Sequence, residues 1–187
     1  NYDYFLQIVD IKPDIVIRFG KKPTSKILYQ LLEQWQTQTY LIDYWGQFND
    51  DCKNFIQSSI DLFCQKQISS INWHGESDWI NLLRSFESDI DRLLKEETGY
   101  FEANIARVCQ ESLQDGDHFI IGNSMPIRDV DMFTSVSIIK IDTYSNRGAS
   151  GIDGLISTAL GISSGNNNSR TLLLIGDLSF YHDMNGL

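Results

Sequence analysis

Short apolar runs alternate with longer amphipathic stretches along this chain, and the alternation predicts an α/β fold. Pro13–Ile17 reads as a buried strand ending at Arg18-Phe19-Gly20. After the loop Lys21–Thr24, a helix capped by Thr24 or Ser25 places Leu28, Leu31, Leu32 and Trp35 at helical spacing. Thr39–Asp43 is the next strand, an order that suggests a parallel sheet. Cys52–Gln65 is assigned to a helix. Glu76-Ser77-Asp78 opens a longer helix, whose apolar face carries Ile80, Leu83, Ile90, Leu93 and Leu94 and runs to about Lys95. The polar break Glu96–Tyr100 follows, with Gly99 as a candidate C-cap, and a domain boundary is placed there. The rhythm then restarts. Glu102–Leu113 is amphipathic, Asp117–Gly122 reads as a strand, and Asn123–Arg128 is its exit loop. Val136–Lys140 is the next strand, Asn146–Gly154 the loop after it, Asp153–Ser163 a helix and Thr171–Ile175 the last strand. Ser179 opens the final helix.

This pattern divides the chain into residues 1–95 and 96–187, each a short parallel sheet flanked by helices. At least one sheet edge is then expected to be unpaired or covered by another copy. The composition changes little in this picture. Hydrophobic residues make up 42% and charged residues 21%, which is ordinary for a globular protein. The net charge of −10 and the lack of a Lys/Arg cluster argue against nucleic acid as a partner. Cys52, Cys64 and Cys109 are odd in number and form no C-x-x-C pair, so they are read as reduced, mostly buried thiols of a cytoplasmic protein. No apolar run approaches the roughly 20 residues that span a membrane. The first residues lack a Met start and a signal-peptide pattern, so the chain reads as the interior of a longer one.

The candidate chemistry lies where strands end. Three exit segments, Asn123–Arg128, Asn146–Gly154 and Gly176–Ser179, are expected at the carboxyl edge of one sheet, where open α/β sheets bind ligands. They hold Arg128, Arg147, a glycine-rich turn and Asp177. Glycines let backbone N–H groups approach phosphate, arginine binds carboxylates bidentately, and a carboxylate at a strand end is a candidate Mg²⁺ ligand. Taken singly, each feature also has an ordinary structural role. Gly148, Gly151 and Gly154 follow G-x-x-G-x-x-G rather than the dinucleotide fingerprint, and Asp177 could be a helix cap.

Four stretches together resemble the 2-succinyl-5-enolpyruvyl-6-hydroxy-3-cyclohexene-1-carboxylate synthases, thiamine-diphosphate enzymes of menaquinone biosynthesis. They are Ile17–Pro23, Gly122–Asp129, Asn146–Gly154 and Gly176–Gly186. The resemblance covers the whole chain and implies parts of two consecutive domains of a three-domain enzyme: residues 1–95 from the Rossmann-like middle domain, residues 96–187 from the diphosphate-binding domain. It implies a transferase that decarboxylates 2-oxoglutarate on thiamine diphosphate with Mg or Mn and adds the succinyl unit to isochorismate. By the same resemblance Lys26, Ser124, Arg128 and Arg147 bind substrate. Gly151, Ile152, Gly176, Leu178 and Ser179 bind cofactor, and Asp177 binds the metal. Leu178 stands where the wider family's motif has its second glycine. A homodimer or homotetramer is implied for the full-length protein. The motif's asparagine and the glutamate that activates the cofactor lie outside these residues, so the segment alone is expected to be inactive and to bind cofactor weakly or not at all. Two alternatives remain at this point: a non-catalytic metabolite-binding relative, and a nicotinamide-nucleotide oxidoreductase, against which the absence of G-x-G-x-x-G counts.

Overall fold

The computed structural model describes residues 2–35, 37–46, 52–70, 78–165 and 169–187. The chain divides into two compact units, Tyr2–Glu87 and Ser88–Leu187.

In the first unit β1 (Ile15–Phe19), β2 (Gln38–Asp43) and β3 (Asn54–Gln57) form a parallel sheet in the order β1-β2-β3. Ile15 is in register with Gln38, and Tyr40 with Asn54. The central strand carries the core, with Leu41 and Ile42 buried. A short helix α1 (Tyr2–Leu6) and α2 (Lys26–Trp35) accompany the sheet. Ser25 caps α2: its Oγ accepts from the Leu28 N–H at 3.0 Å and donates to the buried Asp3 carboxylate. Capping of this kind satisfies one of the helix's orphan N–H groups.

The expected helix over Cys52–Gln65 is a strand and a helix instead. Residues 54–57 pair with β2, and α3 (Ile60–Ile68) begins only after Ser59, whose Oγ accepts from the Leu62 N–H. Four residues hold too little periodicity to separate strand from helix, and a neighbouring strand with free main-chain groups decided it. A long helix, α4 (Asp78–Glu96), follows, and the division between the units falls inside it. Gly99 is not a left-handed C-cap: α4 has ended three residues earlier, and the Gly99 N–H instead receives the Glu97 side chain as acceptor.

The second unit holds α5 (Glu102–Glu111), β4 (His118–Ile121), α6 (Met125–Phe133), β5 (Asp142–Tyr144), α7 (Leu155–Ser164), β6 (Thr171–Leu174) and α8 (Asp177–Asp183). Its sheet is parallel in the order β5-β4-β6. All four residues of β4 are buried, which suits the middle strand of a parallel sheet covered on both faces. Phe119 and Ile121 pack with Leu113, and half-buried Ile127, Val130, Ile141 and Leu172 close around them.

Several boundaries differ from expectation. The strand expected at Val136–Lys140 lies instead at Asp142–Tyr144, with Asp142 in register with His118. Val136 and Ile138 are almost fully exposed, 97% and 102%, so that apolar run builds no core here. The exit segment Asn123–Arg128 is a loop for only two residues. Pro126, in the first turn of α6, is compatible with an early helix start, and Arg128 sits on that helix. Ser179 does not open the last helix either: Gly176 is the N-cap and Asp177 the first helical residue. All three cysteines are thiols, each half-buried rather than buried. Cys109 lies against the core, where burial pushes its thiol up.

A charged clasp closes this sheet at its amino end. Asp117 is buried and accepts from Arg170 Nη2 at 2.5 Å, Arg170 Nε at 3.1 Å and the Gln114 N–H at 2.8 Å. The Arg170 side chain, then the Gln114 amide, hold the carboxyl at about 2, below its ordinary 3.8. A depressed carboxylate stabilises the fold above its unfolded value, and that contribution is lost as pH falls through the folded one. Asp117→Asn is therefore expected to melt earlier near neutral pH and to lose less stability than the parent between 3.8 and about 2. Melting curves across that range check it, and parallel curves for the two proteins would overturn it.

Candidate functional site

The site grows from two neighbouring strand ends. β4 stops at Ile121 and β6 at Leu174, and the Gly122 N–H donates to the Leu174 carbonyl at 2.8 Å. Glycine at 122 permits this close approach, because a Cβ there would lie 3.0 Å from the Leu174 carbonyl oxygen, a tight contact. From β4 the chain turns to β5 on one side and later returns to β6 on the other. Such a reversal leaves a crevice at the carboxyl edge of the sheet. A cavity of about 360 Å³ opens there, and Ser124, Ile152, Gly176, Asp177, Leu178 and Ser179 all line it. A larger cavity of about 480 Å³ lies in the first unit beside Arg18, Lys22 and Lys53, and no candidate residue lines it.

Asn123 organises the entrance. It is only 2% exposed, and its amide donates to the carbonyls of Asn146 at 3.1 Å and Gly151 at 2.8 Å. Its carbonyl accepts from Arg147 Nη1 at 3.3 Å. The buried amide thus ties the β4 exit to the glycine-rich loop and gives one guanidinium a fixed partner. Ser124 follows with φ 72 and ψ −122, a region that non-glycine residues rarely occupy. Strain of this kind persists only where its surroundings hold it, and it gathers at ligand sites.

Not every candidate reaches this cavity. Arg128 is exposed on α6 and lines a neighbouring cavity of about 440 Å³ with Phe101, Met132 and Phe133. Arg147 is exposed and enters only through its bond to Asn123. Gly151 takes part through its carbonyl. Lys26 is the exposed first residue of α2, in the first unit.

Sequence reasoning assigned no role to Asn123, Asp129 or Asp183. Asp129 is 7% exposed and, with Glu102, lines both this cavity and the neighbouring one beside Arg128. Burial pushes its carboxyl up, the Glu102 carboxylate adds to that, and Arg128 opposes it. Asp183 accepts main-chain N–H bonds from the start of α7. Asn123, Asp129 and Asp183 all stand inside the motif stretches Gly122–Asp129 and Gly176–Gly186. Their partners, however, come from other elements, 23 to 29 residues distant for Asn123 and Asp183, so no local spacing marks them.

Fold and cavity define a parallel α/β unit with a cavity at the carboxyl edge of its sheet, in a chain that also holds a second parallel α/β unit. No family model matches the chain. Over its whole length it is 37% identical to the 2-succinyl-5-enolpyruvyl-6-hydroxy-3-cyclohexene-1-carboxylate synthase of Oceanobacillus iheyensis, of which it covers 34%. It is 36% identical to the synthase of that name from Bacillus cytotoxicus, covering 33%, and 38% identical to that of Listeria innocua, covering 34%. The chain spans about a third of the length of these curated relatives. From end to end it is homologous to part of a 2-succinyl-5-enolpyruvyl-6-hydroxy-3-cyclohexene-1-carboxylate synthase. Among the described residues, no helix is long and apolar enough to cross a membrane.

Proposed function

We propose that this chain is the part of a thiamine-diphosphate-dependent synthase that holds the cofactor's diphosphate and its metal. The whole protein would decarboxylate 2-oxoglutarate and add the succinyl unit to isochorismate, as a cytoplasmic homodimer or homotetramer in menaquinone biosynthesis. The observation that carries this reading is the convergence of Ser124, Ile152 and Gly176–Ser179 on one cavity. The three relatives above are named as this synthase, and nothing in their names favours a nicotinamide enzyme or a non-catalytic binder.

The residues present fit such a ligand. The amides of Gly151, Ile152 and Asp153 donate no main-chain hydrogen bond among the described residues, so they are available to phosphate oxygens. Ser179 is 5% exposed yet lines the cavity, which suits a hydroxyl turned toward a ligand oxygen. The charged residues of the lining are Glu102, Asp129 and Asp177, all acidic. A bare diphosphate would be repelled there, and pairing with a divalent cation would remove most of that repulsion. Among the described residues no group of three His, Cys, Asp or Glu side chains could hold a metal. Asp177 would therefore hold Mg or Mn jointly with phosphate oxygens, the arrangement Mg²⁺ ordinarily takes. When bound, the cofactor supplies the electron sink for decarboxylation, and the protein supplies orientation and charge. Leu178 and the main chain at Gly176 would wall the diphosphate. Ser124, Arg128, Arg147 and Lys26 would bind the carboxylates of the two substrates, with Asn123 aiming Arg147.

A chimera tests this, with the corresponding third of the Oceanobacillus iheyensis synthase replaced by this chain. It is expected to consume 2-oxoglutarate and isochorismate together, and Asp177→Ala is expected to abolish turnover at any Mg²⁺ concentration. A folded chimera that binds thiamine diphosphate but turns over neither substrate would refute the substrate assignment. Turnover by Asp177→Ala with the parent's Mg²⁺ dependence unchanged would refute the metal assignment.

A further inference from the structure

The glycine-rich loop is held from outside by a residue with no place in the proposed chemistry. α7 begins at Gly154, which has φ +70 and no side chain with which to cap the helix. The first N–H groups of a helix need acceptors, and a negative charge there also meets the favourable end of the helix dipole. Asp183, in the last turn of α8, supplies both. Its Oδ1 accepts from the Gly154 N–H at 2.9 Å and its Oδ2 from the Ile156 N–H at 2.7 Å. The turn beyond α8 packs in the same place, where a Cβ on Gly186 would lie 2.8 Å from Ser157 Oγ and 3.3 Å from Ile156 Cβ. Asn123 holds the loop further back, through the carbonyls of Asn146 and Gly151.

We infer that Asp183 is a positioning residue for the ligand loop: its carboxylate fills the N-terminus of α7, and so fixes Gly151–Asp153 relative to Asp177 and Ser179 at the other end of α8. The ligand role of the loop rests on the diphosphate reading above; the clamping itself does not. One consequence concerns where an anion binds. The start of α7 already has its anion within the chain, so an incoming diphosphate meets the amides of Gly151–Asp153 rather than the helix terminus. A second consequence is mechanical. Asp177 and Asp183 are the two ends of one short helix, so a shift of the loop must either move α8 or break the Asp183 bonds.

The bonds to Ile156 and Gly154, in that order, hold the Asp183 carboxyl below the usual range. The Ser157 N–H and His182 act in the same direction, and partial burial opposes them. Acidification through that lowered value should release the loop, since a protonated carboxyl is a poorer acceptor.

Amide exchange and ¹⁵N relaxation of the 187-residue chain, with Asp183→Ala and Asp183→Asn, test the inference without any ligand. In Asp183→Ala, exchange at Gly154 and Ile156 is expected to accelerate about two- to thirtyfold, the range for a lost helix cap. Order parameters at Gly151–Asp153 should fall below about 0.6, while the β4 amides His118–Ile121 stay unchanged. Asp183→Asn keeps one oxygen acceptor and should keep protection at one of the two amides. Its protection should not titrate in acid, whereas that of the parent should. Uniform acceleration that includes β4 would show a merely structural role and overturn the inference. Unchanged relaxation at Gly151–Asp153 in Asp183→Ala would overturn it as well. If the loop is clamped in this way but the chimeric synthase binds no thiamine diphosphate, the functional reading fails and this one stands.

Discussion

Arg147→Ala, in the chimeric synthase, is expected to lower kcat/KM for both substrates by a factor of roughly thirty to several thousand, about 2–5 kcal/mol. That is the range for removing one member of a charge pair that is desolvated when the ligand is bound. The structure supports a large effect for Arg147 in particular. Its Nη1 is already tied to the buried Asn123 carbonyl, so part of the side-chain entropy of ordering the guanidinium is spent before a ligand arrives. A lysine would carry the charge but not the planar fork, so Arg147→Lys should recover only part of the loss. Asn123→Ala should reproduce a fraction of it, since the guanidinium would then lack its partner. Arg128 is expected to matter through the neighbouring cavity beside Phe101 and Phe133. A change of only a few-fold for both Arg147→Ala and Arg128→Ala would place the carboxylate contacts elsewhere.

The second large effect concerns the strand on which the site is built. Phe119→Ala is expected to cost the second unit about 3–5 kcal/mol, the usual range for emptying an aromatic position in a core. Phe119 is 2% exposed and packs with Leu113 and Ile121 among half-buried neighbours from α6 and β6. A unit of this size has about 5–15 kcal/mol in hand, so the variant should sit near its unfolding threshold. Urea titration followed by near-ultraviolet dichroism measures this. A loss below about 1 kcal/mol would mean that the core is not organised around β4. The variant should also loosen the site, because Gly122 and Asn123 continue directly from the strand that Phe119 anchors.

Several elements are legible in the residue pattern alone. The β1–α2–β2 unit follows from an apolar run, a serine cap and leucines at helical spacing, because each of these signals is local. β4 is legible for a similar reason: a central parallel strand, buried on both faces, must be apolar at nearly every position. The departures from the pattern have a common physical origin. Residues 54–57 form a strand because β2 offers main-chain partners, and Val136–Lys140 does not because the register of β4 reaches Asp142 instead. Arg128 and Ser179 lie inside helices rather than in a loop or at a helix start, because helices here begin almost at once after their strands.

The candidate site divides in the same way. The sequence by itself determined that glycines, acidic residues and arginines follow successive strands, and a parallel sheet necessarily gathers such exits at one edge. Ser124, Ile152 and Gly176–Ser179 accordingly share a cavity. Only the tertiary structure decided how those residues are held. Asn123 reaches Asn146 and Gly151, Asp183 reaches Gly154 and Ile156, and Asp129 is buried beside Glu102. These contacts join groups far apart in the chain, and their strength comes from burial and from unsatisfied N–H groups. Neither burial nor a missing partner is a property of residue type or spacing, and both exist only once the elements have packed.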